Sequence, residues 1–315
     1  MEVLGNTFYF DWEISLMVWL QSHLGAAGAL LANFFSMFGE ELLMVAVLGF
    51  LYWCYDKKFG TYAGFNLLTA NLWNPMIKNV CLRRRPYMDN PEILCLRQVD
   101  AEGDIYDVIT QGYSFPSGHS TGAAALYGSI AAYKKKKLLS IIAYALILLV
   151  GVSRFCLGVH YPTDVLAGWA LGFLAINVVS LMMKKIKKRW IVHAILLVTG
   201  AAGFFYCEST DYFTSYGMLL GFAVAVPFEE KYVNFEGTRS VVRSVLRIAG
   251  GCAIFFGLNT LLKLPFSSKF LSDGSTLSHI VRTLRYAIVL FVDMGVYPMI
   301  FKVTANIGTG KKVKD

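Results

Sequence analysis

His160 and Asp164 stand four residues apart with Pro162 between them, a spacing that suits an imidazole meant to act as a nucleophile. An aspartate in the first turn of a helix opening at Pro162 can accept a hydrogen bond from one ring nitrogen. That fixes the tautomer and leaves the other nitrogen free. The same orienting logic underlies catalytic triads on unrelated folds. A second imidazole, His119, follows Pro116-Ser117-Gly118 at the start of an apolar run, where it could protonate a leaving oxygen. Free N–H groups in that first turn form an anion cradle, and Gly118 lets an anion come close to the backbone. Three cations complete the set. Lys78 and Arg85 are seven residues apart, about two helical turns on one side, and Pro86 then ends the helix. Arg154 lies in an apolar stretch where a bare guanidinium is costly and a phosphate would satisfy its planar fork. Gathered in one place, these groups fit a phosphate ester dianion.

Each residue also has a purely structural use. Lys78 can snorkel from a helix end, Ser117 can be an ordinary N-cap, and Asp164 suits the positive end of a helix dipole. His119 taken alone reads as an interfacial polar residue.

The elements that must position these groups belong to a membrane. Of 315 residues, 56% are hydrophobic and only 16% are charged, whereas soluble domains carry about 25% charged residues. Apolar windows at 14–38, 41–56, 60–78, 117–133, 138–157, 161–183, 190–207, 212–228, 241–263 and 280–302 predict about ten crossing helices, each needing roughly 17–25 residues. Gln21 and His23 interrupt the first window. The net charge of +8 sits in short clusters between apolar runs and not on one face, which argues for topology signals and against a nucleic-acid partner. Even-numbered windows exit into Lys57–Lys58, Lys134–Lys137, Lys184–Arg189, Lys231–Arg243 and Lys302–Lys314, so both termini are expected in the cytoplasm. Glu2, Asp11 and Glu13 near the start argue against a cleaved signal peptide.

Against that rule, Lys78, Arg83, Arg84, Arg85 and Arg154 lie on the expected extracytoplasmic side. Ionisable groups at membrane depth are usually functional, so the active site is placed on that face. The long loop 79–116 begins with this cluster.

Lys78 with Arg85-Pro86, then Pro116-Ser117-Gly118-His119, then Ser153-Arg154 followed after five residues by His160, resemble the three-part signature of the type 2 phosphatidic acid phosphatase family. That family also includes glucose-6-phosphatase, sphingosine-phosphate phosphatases and vanadium haloperoxidases. The resemblance implies that His160 forms a phosphohistidine and that Asp164 orients it. It implies that His119 serves the leaving alcohol as acid and the attacking water as base. Lys78, Arg85, Ser117, Gly118 and Arg154 would bind phosphate oxygens, and no cofactor or metal is expected. The resemblance covers roughly residues 24–184.

The expected architecture is therefore all-α: a six-helix phosphatase core over 1–184 and four additional transmembrane helices over 185–315, as in larger family members. The substrate would be a membrane lipid phosphate in the bilayer: phosphatidic acid, a polyprenyl diphosphate, phosphatidylglycerophosphate or a sphingoid-base phosphate. A phosphotransferase, a sugar-phosphate phosphatase and, less favoured, a lipid-phosphate transporter are the alternatives.

Three lesser features stay open. Arg83 and Arg84 are extra cations suited to attracting an anionic substrate. The acidic loop residues Asp89, Glu92, Asp100, Glu102, Asp104 and Asp107 read as a solvated loop or as a lid over the cations. Cys81 and Cys95 share that loop and could form a disulfide if it is extracytoplasmic.

Overall fold

The computed structural model of this chain describes residues 5–101 and 103–303. Glu2, Glu102, the side chain of Lys302 and the basic tail beyond residue 303 lie outside the described residues. The fold is all-α; the extended segment near Asn6 makes a single bridge, to Arg83.

Among the described residues ten helices of nine residues or more follow one another. They are α1 (Asp11–Met37), α2 (Glu41–Gly49), α3 (Lys57–Cys81), α4 (Gly118–Lys134) and α5 (Lys137–Cys156), then α6 (Pro162–Lys185), α7 (Arg189–Gly200), α8 (Thr210–Phe228), α9 (Val241–Leu261) and α10 (Thr276–Phe291). Their starts carry the expected chemistry. Ser117, Ser240 and Ser275 cap α4, α9 and α10 with their hydroxyls, and Pro162 opens α6, where its missing N–H costs nothing. The interruption at Gln21 and His23 does not break α1, which kinks instead at Gly25, where φ is 58°.

Among the described residues four helices, α1, α5, α6 and α9, are long and apolar enough to cross a bilayer. The other helices are shorter or more polar for a physical reason. In α4, residues 120–129 are Ala, Gly, Ser, Thr, Leu and Tyr and are all buried, so this helix faces other helices and needs no lipid-facing apolar surface.

The chain divides into two compact units. The first holds residues 5–44 and 73–181; the second holds 45–72 and 182–303. The segment 45–72 thus clusters with the C-terminal helices.

In the first unit α5 packs on both α1 and α4. The backbone of α6 also comes close to that of α4. A Cβ placed on Gly168 would lie 2.7 Å from the Ser117 carbonyl, and one on Gly172 would lie 2.7 Å from the Thr121 carbonyl. Two glycines four apart let the helix backbones touch, the usual way membrane helices gain contact where lipid offers no hydrophobic drive. The second unit repeats the device: Cβ atoms on Gly217 and Gly221 of α8 would each stand 2.3 Å from a carbonyl of α10. There Lys57 also pairs with buried Glu229 at 3.0 Å, and Arg247 donates to the Trp53 carbonyl at 2.5 Å.

Substituting leucine for Gly172 should force α4 and α6 apart and cost about 1–3 kcal/mol or more. Gly257→Ala, where a Cβ meets nothing within 4 Å, should be tolerated. Thermal melts in detergent check this; equal melting of the two variants would show that the contact is not needed.

Candidate active site

The site is built where α3, α4, α5 and α6 begin or end. The start of α6 is shaped first by Asp164. Its Oδ2 accepts the Tyr161 backbone N–H at 2.7 Å, the reciprocal contact by which a third-position carboxylate closes a helix start. The Asp164 carbonyl in turn accepts the Ser117 N–H at 3.0 Å, which ties the start of α4 to the start of α6. Asn74 of α3 donates to the Pro116 carbonyl at 3.2 Å and to Thr121 Oγ1 at 2.9 Å.

His160 is buried at 2% exposure in the connection between α5 and α6. Its Nδ1 stands 3.5 Å from Asp164 Oδ2 and makes no hydrogen bond. The expected His160–Asp164 hydrogen bond is therefore a contact slightly beyond bonding range. Asp164 is held by the Tyr161 N–H on one oxygen and by Arg83 Nη1 at 2.7 Å on the other. Nδ1 still faces the carboxylate, which leaves Nε2 as the outward nitrogen.

Burial pushes the His160 imidazole well below the ordinary histidine range, and the charges of Arg85, Arg154, Lys78 and His119 add to the effect. The ring is thus held neutral. These four residues are the ones singled out in the sequence, and the fold brings them within electrostatic reach of His160.

Arg85 is buried and donates to the carbonyls of Gln111, Gly112 and Val159, at 2.9, 3.0 and 2.8 Å. Arg154, also buried, donates to Ser36 of α1, while its Nε has no partner. Ser117 is a working N-cap, accepting the Ser120 N–H at 3.4 Å. Gly118 has open space, with only Asn74 Oδ1 near, 3.8 Å from a notional Cβ. His119 packs against Gly39. Lys78 lies in the last turn of α3, half-buried.

Two residues that carry much of this arrangement were not assigned from the sequence. Arg83 is 1% exposed and bridges Asp164 and Glu13 of α1, the latter at 3.1 Å, while its guanidinium lies 3.9 Å from the Tyr161 ring centroid and 4.6 Å from that of Phe8. It also donates to Thr163 Oγ1 at 2.8 Å. Glu13 accepts bonds from Phe10 N, Arg83 Nη2, Thr163 N and Thr163 Oγ1, so each of its oxygens is used twice. The only advance signal was a cation against the topological preference at Arg83 and a carboxylate at the head of an apolar run at Glu13.

Arg84 pairs with Asp89 and with Thr7. Asp104 and Asp107 accept local backbone N–H groups at Tyr106 and Ile109, and Arg97 pairs with Glu40 and Asn33. Cys81 and Cys95 are both free thiols. Among the described residues no group of His, Cys, Asp and Glu is placed to hold a metal ion.

Fold and site together define a polytopic membrane protein with a buried, neutral histidine set among cations. Residues 59–188 match the PAP2 superfamily and residues 213–308 match the transmembrane extension of PAP2 superfamily phosphatases. The chain belongs to the PAP2, or type 2 phosphatidic acid phosphatase, superfamily. It is 46% identical to phosphatidylglycerophosphatase B of Bacillus subtilis over 85 residues, which is 24% of this chain and 42% of that protein. It is 34% identical to a decaprenylphosphoryl-5-phosphoribose phosphatase of Mycobacterium tuberculosis over 51% of this chain and 84% of that one. An undecaprenyl-diphosphatase of Sulfolobus acidocaldarius is 31% identical over 47% of this chain and 68% of its own length. No solved structure matches the chain.

Two outcomes follow. Arg83→Met strands two buried carboxylates and should cost about 3–5 kcal/mol in thermal or denaturant melts. Arg83→Lys should restore only part of this, because one ammonium cannot reproduce the fork; full rescue by lysine would refute the bridging role. The His160 shift has a definite sign. Its folded value lies below the unfolded one, so the unfolded chain binds more protons between the two, and stability is full above about pH 6.5 and falls as pH drops toward the folded value. His160→Gln should remove that share of the acid loss, measured as melting temperature against pH.

Proposed function

We propose that the chain is a lipid phosphate phosphatase that works through a phosphohistidine at His160. The observation that carries this is the neutral, buried imidazole facing Asp164 on one nitrogen and surrounded by Arg85, Arg154, Lys78 and His119. Such a place repels a proton and welcomes a dianion, which is what a nucleophile toward phosphate requires.

In the first step His160 Nε2 attacks phosphorus while the bond from phosphorus to the leaving alcohol oxygen breaks, and His119, which enters as the imidazolium paired with the bound phosphate dianion, delivers its proton to that oxygen and becomes neutral. In the second, His119 takes a proton from water, the water oxygen attacks phosphorus, and the N–P bond breaks to release phosphate and a neutral ring. Lys78, Arg85 and Arg154, with Ser117 and the N–H groups opening α4 at Gly118, hold the phosphoryl oxygens throughout. Asp164 stabilises the ring while it carries positive charge, as carboxylates do in other histidine-based sites.

The substrate class is a phosphomonoester or diphosphate on a membrane lipid. Support comes from the membrane setting and from the relatives, whose names are those of a phosphatidylglycerophosphatase, a decaprenylphosphoryl-5-phosphoribose phosphatase and an undecaprenyl-diphosphatase. Ten crossings, a six-helix core over 1–184 with four more helices to 315, cytoplasmic termini and an extracytoplasmic site complete the reading; the alternation of basic loops along the chain supports it.

Purified protein in detergent should release inorganic phosphate from one or more of these lipids without added metal. His160→Ala should lower turnover by roughly 10⁴-fold or more, in line with loss of a nucleophile. Vanadate should inhibit the wild type. Near-normal turnover in the His160 variant would refute the mechanism.

A further inference from the structure

The second unit holds a cationic cluster that the catalytic reading does not use. Arg285 of α10 is 4% exposed, and its Nε and Nη1 find no hydrogen-bond partner. Its fork is therefore mostly desolvated without a carboxylate in its grasp. Asp293, further along the same run of helix, is buried with both oxygens equally unpartnered, so the two do not pair. Arg282, one turn before Arg285, and Lys263, just beyond the end of α9, lie within electrostatic reach of one another and of Arg285.

Three elements meet here: the end of α9, the first half of α10 and the start of α8. Packing of α10 on α8 runs along Phe213 and Gly217, where the His279 ring stacks on Phe213 at 3.8 Å and Thr283 donates to the Phe213 carbonyl at 3.3 Å. Arg285 is two residues past Thr283, turned toward another side of α10, and α9 packs on α10 as well. Asp211 reaches Arg282, while Glu208 and Asp273 act on His279.

An uncompensated guanidinium inside a membrane protein costs several kcal/mol in general and persists where an anion satisfies it. A phosphate suits the site best: Arg285 supplies unpaired donors at Nε and Nη1, and Arg282 and Lys263 add charge from the side. We propose that Arg285, Arg282 and Lys263 form a phosphate-binding site in the C-terminal unit, separate from the His160 centre, which takes either the headgroup of an anionic lipid or free phosphate.

The test uses the full-length protein in detergent, with phosphatidylglycerol and inorganic phosphate as separate probes and phosphatidylcholine as the uncharged-headgroup control. Binding is read by native mass spectrometry and by the rise in melting temperature. Phosphatidylglycerol should bind the wild type and Arg154→Ala alike, since Arg154 belongs to the other centre. Affinity should fall about tenfold in Arg282→Gln and at least as far in Arg285→Gln, the loss of one charge-assisted contact. In the empty state Arg285→Gln should melt no lower than wild type, because a bare buried charge has gone.

A stabilising effect of inorganic phosphate that Arg282→Gln removes identifies free phosphate as the ligand; an effect of phosphatidylglycerol alone identifies the lipid headgroup. Unchanged binding in Arg282→Gln, or loss in Arg154→Ala only, overturns the proposal, as does failure of both probes to bind. Should Arg285→Gln fail to fold, Arg282→Gln and Lys263→Gln decide by the same readings. Loss of hydrolysis in His160→Ala bears on none of these outcomes, so the two readings fail separately.

Discussion

Arg83 joins three parts of the chain that are otherwise connected only through long detours: Glu13 in α1, the segment after α3, and Asp164 at the head of α6. Two carboxylates and one guanidinium are buried together, and the desolvation of each is offset only because the others are present and every Glu13 oxygen is bonded. Stacking on Tyr161 fixes the plane of the fork. The orientation of Asp164 toward His160 follows from this network, because Asp164 has one oxygen held by Arg83 and the other by the Tyr161 backbone. The setting of the His160 imidazole thus depends on a bridge that runs through Arg83.

Backbone contact between α4 and α6 supplies the second constraint. Gly168 and Gly172 let the helices meet at the carbonyls of Ser117 and Thr121, and the Asp164 carbonyl holds the Ser117 N–H. The start of α4 and the imidazole before α6 are therefore parts of one corner of the structure. Preorganisation of this kind is what electrostatic stabilisation of a transferring group requires, since the donors need not move when charge develops.

The loop between α3 and α4 is ordered from within. Gln111 is fully buried, accepts the Val99 and Asp100 N–H groups, donates to the Asp100 and Asp104 carbonyls, and offers its own carbonyl to Arg85. A short apolar group including Met17, Tyr87, Ile93 and Leu157 packs beneath it. Asp104 and Asp107 are spent on local turns and Asp89 on Arg84.

Sequence alone determined what depends on local order. Apolar windows, helix starts at Ser117 and Pro162, and the spacing of Lys78, Arg85, His119, Arg154 and His160 all follow from periodicity and from residue types a few positions apart. Only the tertiary structure decided the partners. Glu13 and Arg83 lie 70 residues apart and Ser36 and Arg154 lie 118 apart, separations that leave no periodic trace, because such pairs are chosen by how helices pack and not by their own neighbours. The same holds for Asp164: its place in a helix start was legible, whereas its commitment to Arg83, 81 residues away along the chain, is a consequence of packing that no local pattern encodes.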